Sequence, residues 1–341
     1  MATRVGVVGA GALGQHHVRI LRDLAGDRFI GLYDSDATRA AAMAEQFGVV
    51  AHASLESLLD AADAVSIVVP TTAHHAVAAA ALARGCHVFV EKPFTVTLEE
   101  ADDLLAAARA AGRIVQVGHV ERVNRAVRAA MPYVDSPRFI ESDRLAPFNP
   151  RGSDVAVVLD LMIHDIDLVR TLVGERVTEV QATGIPVLTP QLDIANARLV
   201  FANGAVANVT ASRVSRERVR KLRLFQRSGY LSLDLAAGTG EFFRMRRDLD
   251  PALLAAQPRA LEEFVERIAL TAPDAEPLWI ELSQFLEAIE GRAPVAVSGE
   301  VGREALSVAL RIMAEIERTM PSMQAANPVR TPNIAAESAG A

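Results

Sequence analysis

Residues 4–14 read RVGVVGAGALG. A short apolar run ends in three glycines spaced GxGxxG, and a helical pattern follows directly. Each glycine has a task in that setting. Gly9 makes the tight turn, Gly11 lets the backbone approach a pyrophosphate, and Gly14 allows the helix to close on the strand. Ala12 and Leu13 stand where the first helical N–H groups face the anion. A bare turn would need the glycines but not the flanking strand and helix.

Outward from this stretch the pattern repeats. Apolar runs RVGVVG, FIGLYD, AVSIVVP, CHVFVEKP and IVQVGH alternate with helical patterns near 12–25, 36–47, 73–84 and 97–111. Strands that are apolar on both faces and alternate with helices form a parallel sheet covered on each side. The expectation for 1–120 is a doubly wound α/β domain of the Rossmann type. Asp34 closes the second run twenty positions after Gly14, where a carboxylate binds ribose hydroxyls and repels an extra phosphate. That favours NAD over NADP, with Asp36 adding to the repulsion and Arg39 as the residue that could soften it.

After residue 125 the rhythm changes. A helical pattern near 155–173 leads into RFIESDRLAP, VTEVQATGIPVL, ARLVFANGAVANVTASRVS and KLRLFQRSGYLSLDL, with ANG at 202–204 reading as a hairpin turn. This is an α+β domain over 121–320 with a mostly antiparallel, open sheet, completed by helices at 278–290 and 300–319. One face of such a sheet needs cover, which points to a homodimer or homotetramer. The tail 321–341, beginning at Pro321, reads as unstructured. No internal repeat is present.

Composition narrows the function. Half of the 341 residues are apolar and the formal net charge is −7, which disfavours nucleic-acid partners and favours small molecules. No apolar run approaches the roughly 18–20 residues of a membrane helix, and the N-terminus lacks a signal-peptide cleavage site. The single cysteine, Cys86, excludes an internal disulfide or a zinc cluster and reads as a buried residue of a cytoplasmic protein.

Two stretches carry chemistry. EKPF, residues 91–94, ends the fourth apolar run, so Lys92 is aimed at the crevice beyond the strand ends rather than being one more surface lysine. In LDLMIHDIDLV, residues 159–169, Asp160, His164 and Asp167 share one helical face while Asp165 turns aside. A carboxylate one turn from an imidazole can set its tautomer and basicity, as general-base catalysis requires. The plain alternative is a structural pair. No further ligands for a metal are evident. His16 and His17 read as polar helix positions. His119 and Arg122, at the entry to the second domain, suit either substrate contact or interdomain packing. The run SRVSRERVRKLRLFQR, 212–227, is either a solvated face or an anion site that includes Arg213, with Arg144 able to join it.

The fingerprint at 9–14, EKP at 91–93, GHVER at 118–122 and DLMIHDID at 160–167, in that order, resemble the glucose-fructose oxidoreductase and inositol dehydrogenase family (Gfo/Idh/MocA), over nearly the whole chain apart from the tail. The resemblance implies that the EKP lysine and the aspartate and histidine of a DxGxHxxD pattern bind substrate and move protons; these fall on Lys92, Asp160 and His164. It also implies cofactor contacts at Pro70, Thr71 and His74 of PTTAH and at Glu91. Two features depart from the pattern: Met162 stands where a glycine is usual, narrowing the space near the reacting carbon, and SDVAVVLDLM lacks the preceding paired glycines. With GHVERVN and MIHDIDL, the arginine run looks like the branch of sugar-nucleotide 3-dehydrogenases, which oxidise the 3-hydroxyl of UDP-N-acetylglucosamine. A free sugar or polyol dehydrogenase is the alternative. A non-catalytic NAD-binding regulator and a cofactor-retaining glycosidase are rivals of other classes, and the joint presence of Lys92, Asp160 and His164 weighs against the regulator.

Overall fold

Val5, Gly6, Val7 and Val8 are all buried, as a central strand with helices on both sides requires. In the computed structural model, which describes residues 3–150, 152, 154–246 and 264–326, they form β1 (Val5–Val8). It is joined by β2 (Phe29–Tyr33), β3 (Ala64–Ile67), β4 (His87–Glu91) and β5 (Val115–Gly118). The order is β2-β1-β3-β4-β5 and every pairing is parallel. Beyond β2 the next strand is reduced to a bridge between Leu32 and Ala51, fixed by Leu32 N donating to Val50 O and His52 N donating to Leu32 O. Strand order reverses between β1 and β3, and a doubly wound sheet binds its ligand at that switch point.

The covering helices are α1 (Gly14–Ala25), α2 (Ala37–Phe47), α3 (Leu55–Ala61), α4 (Thr71–Ala83) and α5 (Leu98–Ala111). The sequence reading missed α3. Seven residues are too few to show a period, yet Ser54 and Ser57 cap one another's backbone and Leu58 and Leu59 are buried.

The second domain opens with α6 (Arg125–Ala130) and β6 (Phe139–Leu145), followed by α7 (Ile163–Val173). Seven more strands follow: β7 (Val177–Ile185), β8 (Ile194–Phe201), β9 (Val206–Ser212), β10 (Val219–Gln226), β11 (Gly229–Asp234), β12 (Thr239–Met245) and β13 (Val265–Leu270). Their order is β13-β12-β11-β10-β6-β9-β8-β7, antiparallel except for β6 beside β9. The β8–β9 hairpin turns at the expected ANG, with Gly204 at φ +78°. On β8, Ala195, Ala197, Leu199 and Phe201 face the helices while Asn196 and Arg198 face out. Burying Leu199 and Phe201 stabilises by roughly 1.5–3 kcal/mol each. The outer face carries a stack of Phe139, Phe225, Tyr230 and Phe243, with successive ring centroids 5.5, 4.8 and 5.6 Å apart.

Two helices end the described chain, α8 (Pro277–Ile289) and α9 (Gly299–Ala326). The chain does not cross between domains only once: α8 returns to the first, burying Leu282, Phe285 and Leu286 in its core. The loose tail expected from Pro321 begins instead as helix. Val308, Ala309, Ile312 and Ile316 join the core beneath the sheet, and that docking carries α9 across a proline which alone reads as a stop. The rest of the tail, 327–341, lies outside the described residues. Among the described residues no helix is long and apolar enough to cross a membrane.

Candidate active site

The first loop is built as its glycines predict. A Cβ on Gly9, which sits at φ +110°, would collide with the carbonyl of Val68, and one on Gly14 with the carbonyl of Gly9. At Gly11 a Cβ would meet nothing within 4 Å, so backbone faces open space there. Ala12 and Leu13 are exposed at the start of α1. The Asp34 carboxylate accepts from Ala10 N at 2.6 Å, from Asp36 N at 2.8 Å and from Arg39 Nη2 at 2.9 Å. Burial alone would raise its pKa; the Arg39 guanidinium and the two amides outweigh burial and hold it below the usual carboxylate range. Gly9, Gly11, Asp34, Arg39, Leu55 and Pro70 line a cavity of about 430 Å³. An open glycine backbone, an ionised carboxylate and apolar walls at Val68 and Val77 fit the adenosine and pyrophosphate of NAD.

Thr71 begins α4. His74 is buried, its ring nitrogens 2.9 Å from Pro93 O and 3.0 Å from Val69 O, so it ties the turn after β3 to the segment after Lys92. Burial lowers its pKa.

Lys92, at the end of β4, donates from Nζ to Asp160 O at 2.7 Å and to Asp160 Oδ1 at 3.3 Å. The amine from the first domain thus meets the DLMIHDID stretch of the second. His164 lies in the first turn of α7. Its Nδ1 is buried without a hydrogen-bond partner. Burial, together with the charges of Lys92, Arg144, His119 and Arg220, pushes its pKa well below the ordinary 6.5. The imidazole is therefore uncharged at neutral pH, with a lone pair free to take a proton.

The structure departs from the expected Asp160–His164 pair. Residues Val158–Met162 form a π-helical turn, wider than an α-turn, so the four-residue spacing no longer stacks the two side chains. The Asp160 carboxylate reaches Lys92 instead. Asp167 leaves the stripe as well: 1 % exposed, it accepts from Arg122 Nε at 2.6 Å and Nη2 at 2.5 Å, with His119 Nδ1 at 3.9 Å. Asp165, 1 % exposed, accepts from Ser142 Oγ at 2.9 Å and from Arg144 Nε at 2.6 Å and Nη2 at 3.1 Å. Arg144 also donates to Glu121 at 2.8 Å, and the two carboxylates raise its pKa although burial opposes them.

Of the residues expected to touch substrate, Lys92 and His164 are only partly buried, with Lys92 held by Asp160. Arg122 and Arg144 are held by buried carboxylates. Arg213, also buried, donates to Gly152 O at 2.8 Å and Val155 O at 2.5 Å, bracing the segment before Asp160. His119 is 1 % exposed, and burial lowers its pKa. The arginine run divides: Lys221 and Arg223 pair with Asp234 and Glu141 on the outer face, whereas Arg220 lies beside Glu121 at 3.4 Å, and its charge is among those that lower the His164 pKa. Among the described residues Arg216 and Arg218, both exposed, form no ion pair.

Residues 3–119 match the family model described as oxidoreductase family, NAD-binding Rossmann fold, and residues 107–232 match that of the GFO/IDH/MocA C-terminal domain. The chain belongs to the Gfo/Idh/MocA oxidoreductase family. A UDP-N-acetylglucosamine 3-dehydrogenase of Acidithiobacillus ferrooxidans is 38 % identical over 92 % of this chain and 97 % of its own length. A crystal form of the enzyme of that name from the same organism superposes with a TM-score of 0.86, covering 93 % of this chain and 98 % of the other. An inositol 2-dehydrogenase of Ralstonia nicotianae is 33 % identical over 51 % of this chain and 56 % of its own. As a Gfo/Idh/MocA member the chain is an NAD-binding oxidoreductase.

The sequence reading took His17 for a polar helix position. The structure buries it completely on α1, with Nδ1 2.8 Å from Ser66 Oγ. Its spacing from Gly14 and Leu21, three before and four after, places it on the sheet-facing side of the helix, which was the available signal. The sequence reading passed over Glu281, 2 % exposed on α8 with neither carboxylate oxygen hydrogen-bonded.

Proposed function

We propose that the protein oxidises a secondary alcohol of a nucleotide sugar with NAD, at the 3-hydroxyl of a UDP-N-acetylglucosamine-type substrate. The observation that supports this reading is that Lys92 of the first domain donates to Asp160, four residues before His164, whose imidazole is held uncharged at neutral pH by burial and by nearby positive charges that include Lys92. Their removal from bulk water strengthens every polar contact that a bound sugar makes there.

NAD, when bound, supplies the hydride acceptor. His164 Nε2 takes the hydroxyl proton as the hydride departs. Lys92 has three N–H groups, of which Asp160 engages two; the third donates to the reacting oxygen and stabilises the negative charge developing on it. Met162 is fully buried in the hydrophobic core of the second domain, so the expectation that it narrows the space near the reacting carbon does not hold. The diphosphate is drawn by Arg216, Arg218 and Arg220, while Arg144 and Arg213 are buried and brace the surrounding fold. The working form is a cytoplasmic homo-oligomer, dimer or tetramer, joined through the open sheet face with its aromatic stack.

The test is NADH formation by the purified protein with a panel of nucleotide sugars, with free inositol and glucose alongside. Turnover of UDP-N-acetylglucosamine supports the proposal. Turnover of free inositol alone assigns the site to a polyol, and the absence of NADH with every alcohol removes the dehydrogenase reading.

A further inference from the structure

Arg213, immediately after β9, is 5 % exposed, and two of its guanidinium nitrogens donate to loop carbonyls, Nη1 to Gly152 O at 2.8 Å and Nη2 to Val155 O at 2.5 Å. Its Nε lies 4.0 Å from Asp193 Oδ1, an ion pair without a hydrogen bond, and its backbone N donates to Asp193 O at 2.9 Å. Asp193, fully buried just before β8, is itself fixed. Its Oδ2 accepts from Val187 N at 2.8 Å, Leu188 N at 2.6 Å and Thr189 N at 2.9 Å, and its Oδ1 from Thr189 Oγ1 at 2.8 Å. Burial alone would raise its pKa; these donors hold it down at about 2.

Burying a guanidinium and a carboxylate costs desolvation that two apolar side chains would not. The place they brace explains the choice. Val155 stands one residue before Ala156, whose carbonyl accepts from Leu159 N at 3.0 Å and Asp160 N at 3.1 Å and so opens the π-turn. One residue after Ala156, Val157 N donates to Leu192 O at 2.9 Å, next to Asp193. The backbone is therefore tied on both sides of the residue at which the turn starts. The braced Gly152, at φ +78°, lies beside the carboxylate that the turn carries: a Cβ there would stand 3.4 Å from Asp160 Oδ2, while Asp160 O and Oδ1 accept from Lys92.

We propose that Arg213, seated on Asp193, is a positioning residue for Asp160. It fixes the backbone at Gly152 and Val155, which sets where the π-turn begins and delivers the Asp160 carboxylate to Lys92 Nζ. A π-turn is a single wide turn in an otherwise α-helical run and is held by its surroundings. Here the surroundings include a guanidinium fork that satisfies two loop carbonyls with one side chain. Arg213 thus serves the reaction without touching substrate, although the sequence placed it among the substrate contacts.

The effect on rate rests on the alcohol-oxidation reading, whereas the effect on the backbone does not, so both are measured on the full-length protein. Hydrogen exchange followed by mass spectrometry reads the backbone: Arg213→Met should speed exchange of the amides of residues 156–160 about threefold or more and leave β1 unchanged. NADH formation with whichever alcohol the wild type oxidises reads the rate. Arg213→Met should lower kcat about tenfold or more while KM changes less than about threefold, with NAD affinity by calorimetry unchanged. Arg213→Lys, which keeps the charge and a donor, should fall between the wild type and Arg213→Met. A raised KM at unchanged kcat would make Arg213 a substrate contact and overturn the proposal. Wild-type exchange at 156–160 in Arg213→Met would overturn it too, as would Arg213→Lys performing no better than Arg213→Met. If the wild type forms no NADH with any alcohol, the nucleotide-sugar reading fails and the exchange alone decides. Should Arg213→Met not fold, Gly152→Ala, which strains a left-handed residue beside Asp160, takes its place with the same loss of kcat expected; an unchanged kcat there would overturn the proposal.

Discussion

Asp165 is the clearest place to test whether the charged groups in an otherwise apolar helix are structural. Asp165→Asn keeps the volume and removes the charge. Asp165 and Arg144 are 1 % and 3 % exposed and joined by bonds of 2.6 and 3.1 Å, with a third bond to Asp165 from Ser142 at 2.9 Å. Breaking one side of such a buried pair costs about 3–5 kcal/mol, because the remaining charge is left uncompensated. Here Glu121 still accepts from Arg144 at 2.8 Å, which places the expected loss near the lower end, about 3 kcal/mol. For a domain of this size that corresponds to a fall in Tm of roughly 6–12 °C. The assay is urea unfolding, followed by far-UV circular dichroism and by fluorescence of the single tryptophan, Trp279 on α8. Arg144→Ala should cost at least as much, since it leaves both Asp165 and Glu121 without the guanidinium they share. A loss below about 1 kcal/mol for Asp165→Asn, the level of an exposed pair, would refute the reasoning.

Three further outcomes follow from the same geometry. Glu281→Gln should stabilise the protein at pH 7 and leave it unchanged below the ordinary carboxylate pKa of about 4.5. The reason is that the raised folded-state pKa contributes stability at low pH that is lost as pH rises through it; thermal melts across pH check this. His164 has the opposite sign: its lowered folded-state pKa makes stability fall as pH drops below about 6.5, and His164→Asn should flatten part of that acid limb in the same melts. Gly14→Ala should lower the Tm of the NAD-free protein because the new methyl meets the Gly9 carbonyl, whereas Gly11→Ala, with open space around it, should leave that Tm unchanged and weaken NAD binding roughly tenfold or more, read by calorimetry.

Most of the first domain was legible in the sequence because its signals are local. The strand–glycine–helix order at 4–25, the acidic end of β2 and the run ending in Lys92 need no knowledge of distant residues. The short α3, β12 and β13 escaped because they carry little periodicity and are fixed by pairing. Residue types in the site were also legible, while their partners were not. The spacing of Asp160 and His164 assumed an α-helical turn, and the π-turn at 158–162 hands Asp160 to Lys92. Asp165, Asp167, Arg122 and Arg144 look alike in sequence to groups that meet substrate; only the fold shows that they neutralise one another beneath the cleft. His17 was misread for the same reason, since its partners Ser66 and Glu91 lie on two other strands.

The most direct measurement of the central claim uses UDP-N-acetylglucosamine carrying deuterium at C3 of the sugar, incubated with NAD and the wild-type protein. The account predicts deuterium in the recovered NADH, with none formed by Lys92→Ala or His164→Ala although both still bind NAD. NADH that forms without deuterium, or label transfer that survives the loss of either side chain, would contradict it.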